Sequence, residues 1–237
     1  MPRFDGRNND QLRPVIFKPD YVEYPEGSVL VSFGKTRVLC NVSIDEKVPA
    51  WLDDPELSRG WITAEYALLP RSTTTRVKRE TMGLSGRTQE IKRLIGRSLR
   101  AGFDLNLLGK RTLIVDCDVI QADGGTRTAA ITGGYVALRL ALGKLIHKKL
   151  LSPEVILSPV AAISVGLISG EVLLDLNYQE DASAEADLNV VMNHAGDFIE
   201  VQGTGEGATF SRSDLDLMLN FAEMGIQQIL SLQAGFY

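Results

Sequence analysis

Thr112-Leu113-Ile114-Val115-Asp116-Cys117-Asp118-Val119-Ile120-Gln121-Ala122-Asp123-Gly124-Gly125-Thr126-Arg127-Thr128 changes its period midway. Leu113, Val115, Cys117 and Val119 alternate as the buried face of a strand does, over about residues 111–122. Past the glycines the spacing becomes helical. Ile131, Tyr135, Leu138 and Leu142 mark the buried face of a helix expected over about 126–149. A glycine-rich turn between strand and helix lets backbone N–H groups approach an anion, and the helix dipole adds partial positive charge there. Thr126 brings a hydroxyl and Arg127 a guanidinium able to fork onto phosphate oxygens. Many such junctions are only structural, so the turn does not by itself define a site. No GxxxxGK[ST] occurs, and no GxGxxG opens a helix after a strand, which argues against a Walker loop and a dinucleotide fold.

Upstream, Ser85-Gly86-Arg87-Thr88-Gln89-Glu90 opens a second helix, expected over about 87–101. Ile91, Leu94, Ile95 and Leu99 form its apolar stripe, and Gly102 is its stop. Arg87 therefore also stands where backbone N–H groups are free. Two anion-ready segments on either side of one strand point to phosphate handled as a reactant. Residues 29–33 and 38–44 read as a hairpin around Gly34-Lys35, and 61–69 as a further strand closed by Pro70. Two more hairpins are expected, one from 160–167 and 172–177, the other from 188–192 and 198–202. A last helix is expected over about 214–232, capped by Ser213 with Asp216 in its first turn. The passage strand, Gly-rich loop, helix occurs twice, ending at Gly125 and again around Gly207. That is a faint internal duplication, with halves of about 12–150 and 156–237 in a single domain. Hairpins rather than crossovers link the strands, which favours an α+β fold.

The 237 residues are 44% hydrophobic and 23% charged, values of a globular domain with a sizeable core. Cys40 and Cys117 lie in strand-like runs and read as buried free thiols, with no CxxC spacing and no disulfide framework. The longest uncharged apolar run, 155–169, is short for a bilayer and contains Pro159, so no membrane partner is expected. The expected compartment is the reducing cytoplasm. The net charge of −5 hides a separation. Residues 71–100 hold nine basic side chains against Glu80 and Glu90, a local +7 against −12 elsewhere. Residues 171–200 hold eight acids and no Lys or Arg. Such a field can hold a polyanion and a divalent cation in different places.

Asp181 and Asp187 are the acidic candidates. Two carboxylates at a strand edge can hold Mg²⁺, or one can serve as general acid; a solvated loop is the plainer alternative. Arg71, Arg76 and Arg79 suit a loop that tracks a nucleic-acid backbone, or else a soluble loop or a subunit contact.

The runs Trp61-Ile62-Thr63-Ala64-Glu65-Tyr66, Ser85 to Ile91, Arg93-Leu94-Ile95-Gly96-Arg97, Asp116 to Thr128, Asp187-Leu188-Asn189-Val190-Val191-Met192 and Glu200-Val201-Gln202-Gly203-Thr204 follow one another in order. Together they resemble the RNase PH family of phosphate-dependent 3′ exoribonucleases, which trim transfer RNA precursors. The resemblance implies two duplicated β-rich halves with helices packed on the sheets in a ribosomal-protein-like βαβ topology. It also implies a ring of six subunits, a trimer of dimers. Arg87, Gly125, Thr126 and Arg127 match the family's phosphate site. Asp181 and Asp187 match its acidic pair, the first as general acid and the second as metal ligand. Arg71, Arg76 and Arg79 match positions linked to transfer RNA. The implied reaction is phosphorolysis of RNA 3′ ends, with inorganic phosphate as co-substrate and Mg²⁺ as cofactor. The alternative is a ring subunit that binds RNA without cutting it. Such a subunit is expected to lack part of the phosphate or acidic set, which is complete here.

Overall fold

The computed structural model describes residues 3–205 and 208–236. Its first sheet contains β1 (Val15–Pro19), β2 (Gly27–Phe33), β3 (Thr36–Asp45), β4 (Trp61–Leu68) and β5 (Thr112–Gln121), in the spatial order β1-β2-β3-β5-β4. The expected β2–β3 hairpin is present, and its register sets Cys40 opposite Cys117 of β5. Both thiols are buried and free.

Two features of this sheet depart from the sequence reading. β1 was not foreseen: it is an edge strand with a half-exposed pattern, too weakly alternating to stand out. β4 runs parallel to β5, and α1 (Gly86–Arg100) is the crossover between them. So hairpins alone do not link the strands. The reason lies in α1, whose stripe of Ile91, Leu94, Ile95 and Leu99 is buried and packs along β4. A helix with one apolar face must return across the sheet to cover it.

The second sheet has the order β7-β6-β8-β9, with β6 (Val160–Ile168), β7 (Glu171–Leu174), β8 (Ala186–Asn193) and β9 (Phe198–Gly205) all antiparallel. β7 is shorter than expected because Asp175 adopts a left-handed φ of 54° and breaks the strand. The segment after it is not loop but a single turn, α3 (Tyr178–Asp181), closed by a capping box between Asn177 and Glu180. The last helix, α4 (Arg212–Gln233), is capped by Ser211 with Asp214, not by Ser213 with Asp216. The Ser211 hydroxyl and the Asp214 carboxylate satisfy each other's backbone N–H, which the pair two residues on does not. The expected second glycine-rich loop includes Glu206 and Gly207, which lie outside the described residues.

Between the sheets runs α2 (Thr126–His147), packed on β2 and β3 of the first and on β6 of the second. The predicted face of Ile131, Tyr135, Leu138 and Leu142 is buried, and so are Ala129, Ala130, Gly133 and Gly134 on other faces. Small residues let two sheets close on one helix: a Cβ on Gly133 would stand 2.5 Å from Val31 Cγ1. By length and composition α2 could cross a membrane, but it is the core helix that joins the two halves. α4 packs on β6 and β7.

Candidate active site

At the N-terminus of α2, Gly124 and Gly125 take left-handed φ values of 75° and 65°. Gly125 is the N-cap and supplies no side-chain cap, so the first N–H groups of α2 are left for another acceptor. Next to them the Thr126 hydroxyl sits 2.8 Å from the hydroxyl of Tyr66 on β4. Burial raises the Tyr66 pKa, and it outweighs the opposing pull of the Thr126 hydrogen bond and of Arg87 and Arg127. The phenol is therefore neutral and able to donate.

Arg127 is tied to α1: its Nη2 donates to Glu90 Oε2 at 3.2 Å, and Gln202 Nε2 of β9 donates to Glu90 Oε1 at 2.9 Å. Its Nε is buried with no hydrogen-bond partner among the described residues. A buried orphan donor beside a helix N-terminus is the polar vacancy that an anion fills. Arg87, in the first turn of α1, is exposed and faces the same space.

The cleft in front of these groups has a volume of about 400 Å³. Arg87, Gly125, Thr126 and Arg127 line one side, and Asp181 of α3 and Asp187 of β8 line it from the second half. All six residues expected in the phosphate and acidic sets thus meet in one cavity. Asn189, Gln202 and Thr204 are among its other lining residues. A smaller neighbouring cleft of about 250 Å³ shares Arg87, Gly125, Thr126 and Asp181 with it and is bordered by Thr73, Thr74 and Thr75. Arg71, Arg76 and Arg79 are exposed on the same β4–α1 loop, but none of them lines either cleft.

Among the described residues no group of three or more His, Cys, Asp or Glu converges, so there is no all-protein metal cage. Two carboxylates on one polar cleft are nevertheless the set that Mg²⁺ takes, since it keeps several waters and shares its coordination with substrate phosphate. The donors present fit that ion.

Behind the cleft lies a layer of buried charge. Arg13 donates to both carboxylate oxygens of Asp175, with Nη2–Oδ1 at 2.6 Å, and its Nη1 donates to the Asp123 carbonyl at 2.5 Å. Burial opposes the charge of Arg13, but Asp175 outweighs it and raises the pKa. Arg3 forks onto Glu180 at 2.8 and 2.7 Å. Arg7 lies within 3.6 Å of both Asp175 and Glu180. Arg3-Phe4-Asp5-Gly6-Arg7 is one more run similar to the family's, at its N-terminal start, but the sequence gives neither arginine a role and Arg13 does not stand out; their carboxylate partners Asp175 and Glu180 are over 160 residues away. Tyr66, Glu90 and Gln202 lie within runs that carry the resemblance, but the sequence gives none of them a role at the site, although Glu90 lies three residues after Arg87 on one helix face.

Residues 11–142 match the 3′ exoribonuclease family, domain 1, and residues 158–225 match the same family's domain 2. Ribonuclease PH of Bacillus subtilis is 54% identical over 234 residues, covering 98% of this chain and 95% of the relative. Ribonuclease PH of Crocosphaera subtropica is 56% identical over 231 residues, with 98% and 95% covered. Among solved structures, rice Rrp46 superimposes with a TM-score of 0.79 at 21% identity, covering 98% of each chain. A chain of the Archaeoglobus fulgidus exosome with RNA bound to the active site gives 0.82 at 21% identity, covering 99% of this chain and 92% of that one. These two likenesses concern the fold.

Proposed function

The chain belongs to the 3′ exoribonuclease family, and from that premise we propose that it shortens transfer RNA precursors and other single-stranded RNA from the 3′ end by phosphorolysis. One observation carries the site assignment: basic residues from the first half and acidic residues from the second line a single cleft.

Arg87, Thr126, Arg127 and the amide of Gly125 hold orthophosphate. An oxygen of that phosphate attacks the phosphorus of the last phosphodiester. The new P–O bond makes a nucleoside diphosphate, and the P–O3′ bond to the shortened RNA breaks. Asp181 gives its proton to the departing 3′ oxygen. Asp187, with Asp181 beside it, would hold a magnesium ion, which would supply charge neutralisation at the scissile phosphoryl group. Arg87 and Arg127 do the same from the other side and fix the line of attack, so catalysis rests on positioning and electrostatics. One phosphoryl link replaces another, and high diphosphate therefore drives nucleotide addition.

We assign Arg71, Arg76 and Arg79 to the body of the RNA. Their position outside this chain's own cleft supports contact across a subunit boundary, in a ring of six built as a trimer of dimers. The cytoplasm is the compartment we assign, in keeping with two free buried thiols.

The test is a short RNA incubated with and without phosphate. Nucleoside diphosphates should appear only with phosphate, and Arg87→Ala should raise the phosphate requirement by about tenfold or more, as loss of a charged donor does. Monophosphates released without phosphate would make the protein a hydrolase. The reading as an RNA-binding ring subunit without activity is not favoured: the phosphate and acidic sets are complete within one cleft, and the relatives are Ribonuclease PH.

A further inference from the structure

The glycine loop that faces the cleft has a rear side, and its chemistry is specific. The Asp123 carbonyl accepts from Arg13 Nη1 at 2.5 Å. The Gly124 carbonyl accepts from the Thr36 hydroxyl at 2.7 Å and from Arg13 Nη2 at 3.5 Å. That same Thr36 oxygen accepts from the Asp123 N–H at 2.9 Å, so one hydroxyl is bonded at both ends within one loop. Thr36 is fully buried, and Arg13 is 4% exposed.

A peptide group is planar and trans, so fixing the direction of a C=O fixes the next N–H to point the opposite way. Carbonyls of Asp123 and Gly124 held to the rear oblige the amides of Gly124 and Gly125 to point forward. Gly125 lines the main cleft, and both glycines line the smaller one. Left-handed glycine peptides can flip at little steric cost, so this orientation must be enforced by partners.

We propose that Arg13 and Thr36 are positioning residues for orthophosphate: they hold the glycine loop from behind so that its amides present a preformed anion site. Asp175 completes the device by orienting the Arg13 fork through the backbone N–H of Arg13 and two side-chain nitrogens. Asp175 also stands six residues before Asp181, so one buried pair sets the phosphate loop and the acid-bearing turn relative to each other. This inference rests on the assignment of Gly125, Thr126 and Arg127 to phosphate.

The experiment measures KM for phosphate and for RNA, kcat and the melting temperature in Thr36→Val, Arg13→Lys and Thr126→Val. Thr36→Val keeps the side-chain shape and removes the hydroxyl alone. Arg13→Lys keeps the charge and removes the fork. Each should raise the phosphate KM about tenfold while the RNA KM stays within about twofold, the pattern of a lost ground-state contact to one substrate. Thr126→Val checks the phosphate assignment itself and should also raise the phosphate KM. If Thr126→Val does so while Thr36→Val and Arg13→Lys lower only the melting temperature, the two residues merely stabilise the fold and the inference fails alone. If Thr126→Val leaves the phosphate KM unchanged, the phosphate assignment fails and takes this inference with it. Should Arg13→Lys not fold, Thr36→Val reads the same loop.

Discussion

Gly124→Ala should separate the two walls of the cleft, and its cost can be worked from the structure. Gly124 has a φ of 75°, a left-handed conformation that costs an L-residue roughly 1–2 kcal/mol. A Cβ built there would overlap the Leu176 carbonyl oxygen and stand 2.7 Å from the Asn177 carbonyl carbon. Both obstacles are backbone and cannot swing aside, so the loop and the segment before α3 must move apart, a strain of roughly 1–3 kcal/mol. The two effects together are about 2–5 kcal/mol. In a chain of this length that lowers the melting temperature by about 5–15 °C. Activity should fall further than stability implies. The displacement is of order 1 Å between the phosphate loop and Asp181, and a misplacement of that size costs about a hundredfold in rate. Gly143→Ala is the control. Gly143 is exposed on α2 with nothing within 4 Å of a Cβ, and alanine there should be neutral or stabilise by about 0.5–1 kcal/mol. Thermal melting and single-turnover phosphorolysis at saturating phosphate read both effects. A Gly124→Ala enzyme with wild-type turnover would refute the claim that this close approach sets the catalytic geometry.

Three other outcomes are expected. Asp187→Ala should remove detectable diphosphate release while RNA affinity, read by fluorescence anisotropy, stays within about threefold; full activity would exclude the carboxylate from the reaction. Tyr66→Phe removes the hydroxyl partner of Thr126 and should lower kcat/KM for phosphate about three- to tenfold, the worth of one hydrogen bond; an unchanged value would leave Tyr66 as core packing only. Asp116→Asn should stabilise the protein at neutral pH. Burial, then Asp118 and Glu65, raise the Asp116 pKa, so the folded state loses stability as pH rises from the unfolded value of about 3.9 through the raised one. The gain in melting temperature should therefore be present at pH 8 and shrink toward pH 4; an equal gain at both would mean that charge is not its cause.

The apolar pattern and the turn residues located the elements with a regular buried face: β2 to β6, β8, β9, α1, α2 and α4. They missed β1, whose edge position leaves alternate residues only half covered, and α3, a four-residue turn fixed by the Asn177–Glu180 capping box rather than by an apolar stripe. The parallel pairing of β4 with β5 followed from the buried stripe of α1, a step the strand pattern by itself does not contain. At the site, Arg87, Thr126 and Arg127 were legible because each sits where a helix begins. Asp181 and Asp187 were visible as carboxylates, but their joint place in one cleft depends on β8 lying beside β6 and on α3 docking against the glycine loop. Tyr66, Glu90 and Gln202 stand inside recognisable runs and Arg13 does not, but for all four only the three-dimensional fold brings them to their partners.

The placement of buried charge follows the same logic. Most ion pairs among the described residues are surface contacts with at least one exposed member, such as Arg97 with Glu200 and Lys110 with Asp53. The buried pairs Arg3–Glu180 and Arg13–Asp175 both sit between the N-terminal segment and the turn that carries Asp181. A buried pair is no more stabilising than well-packed apolar residues of the same volume, so burial energy does not explain why it is there. Hydrogen-bond geometry does. Leucine or methionine in place of Arg13 could fill the space, but neither could donate to the Asp123 carbonyl, and both would leave the Asp175 carboxylate without its buried donors. A reaction that brings two phosphate anions together needs its amides and arginines fixed before either arrives, because reorganising dipoles during the reaction would raise the barrier. Arginine behind the loop, rather than only in front of it, meets that requirement.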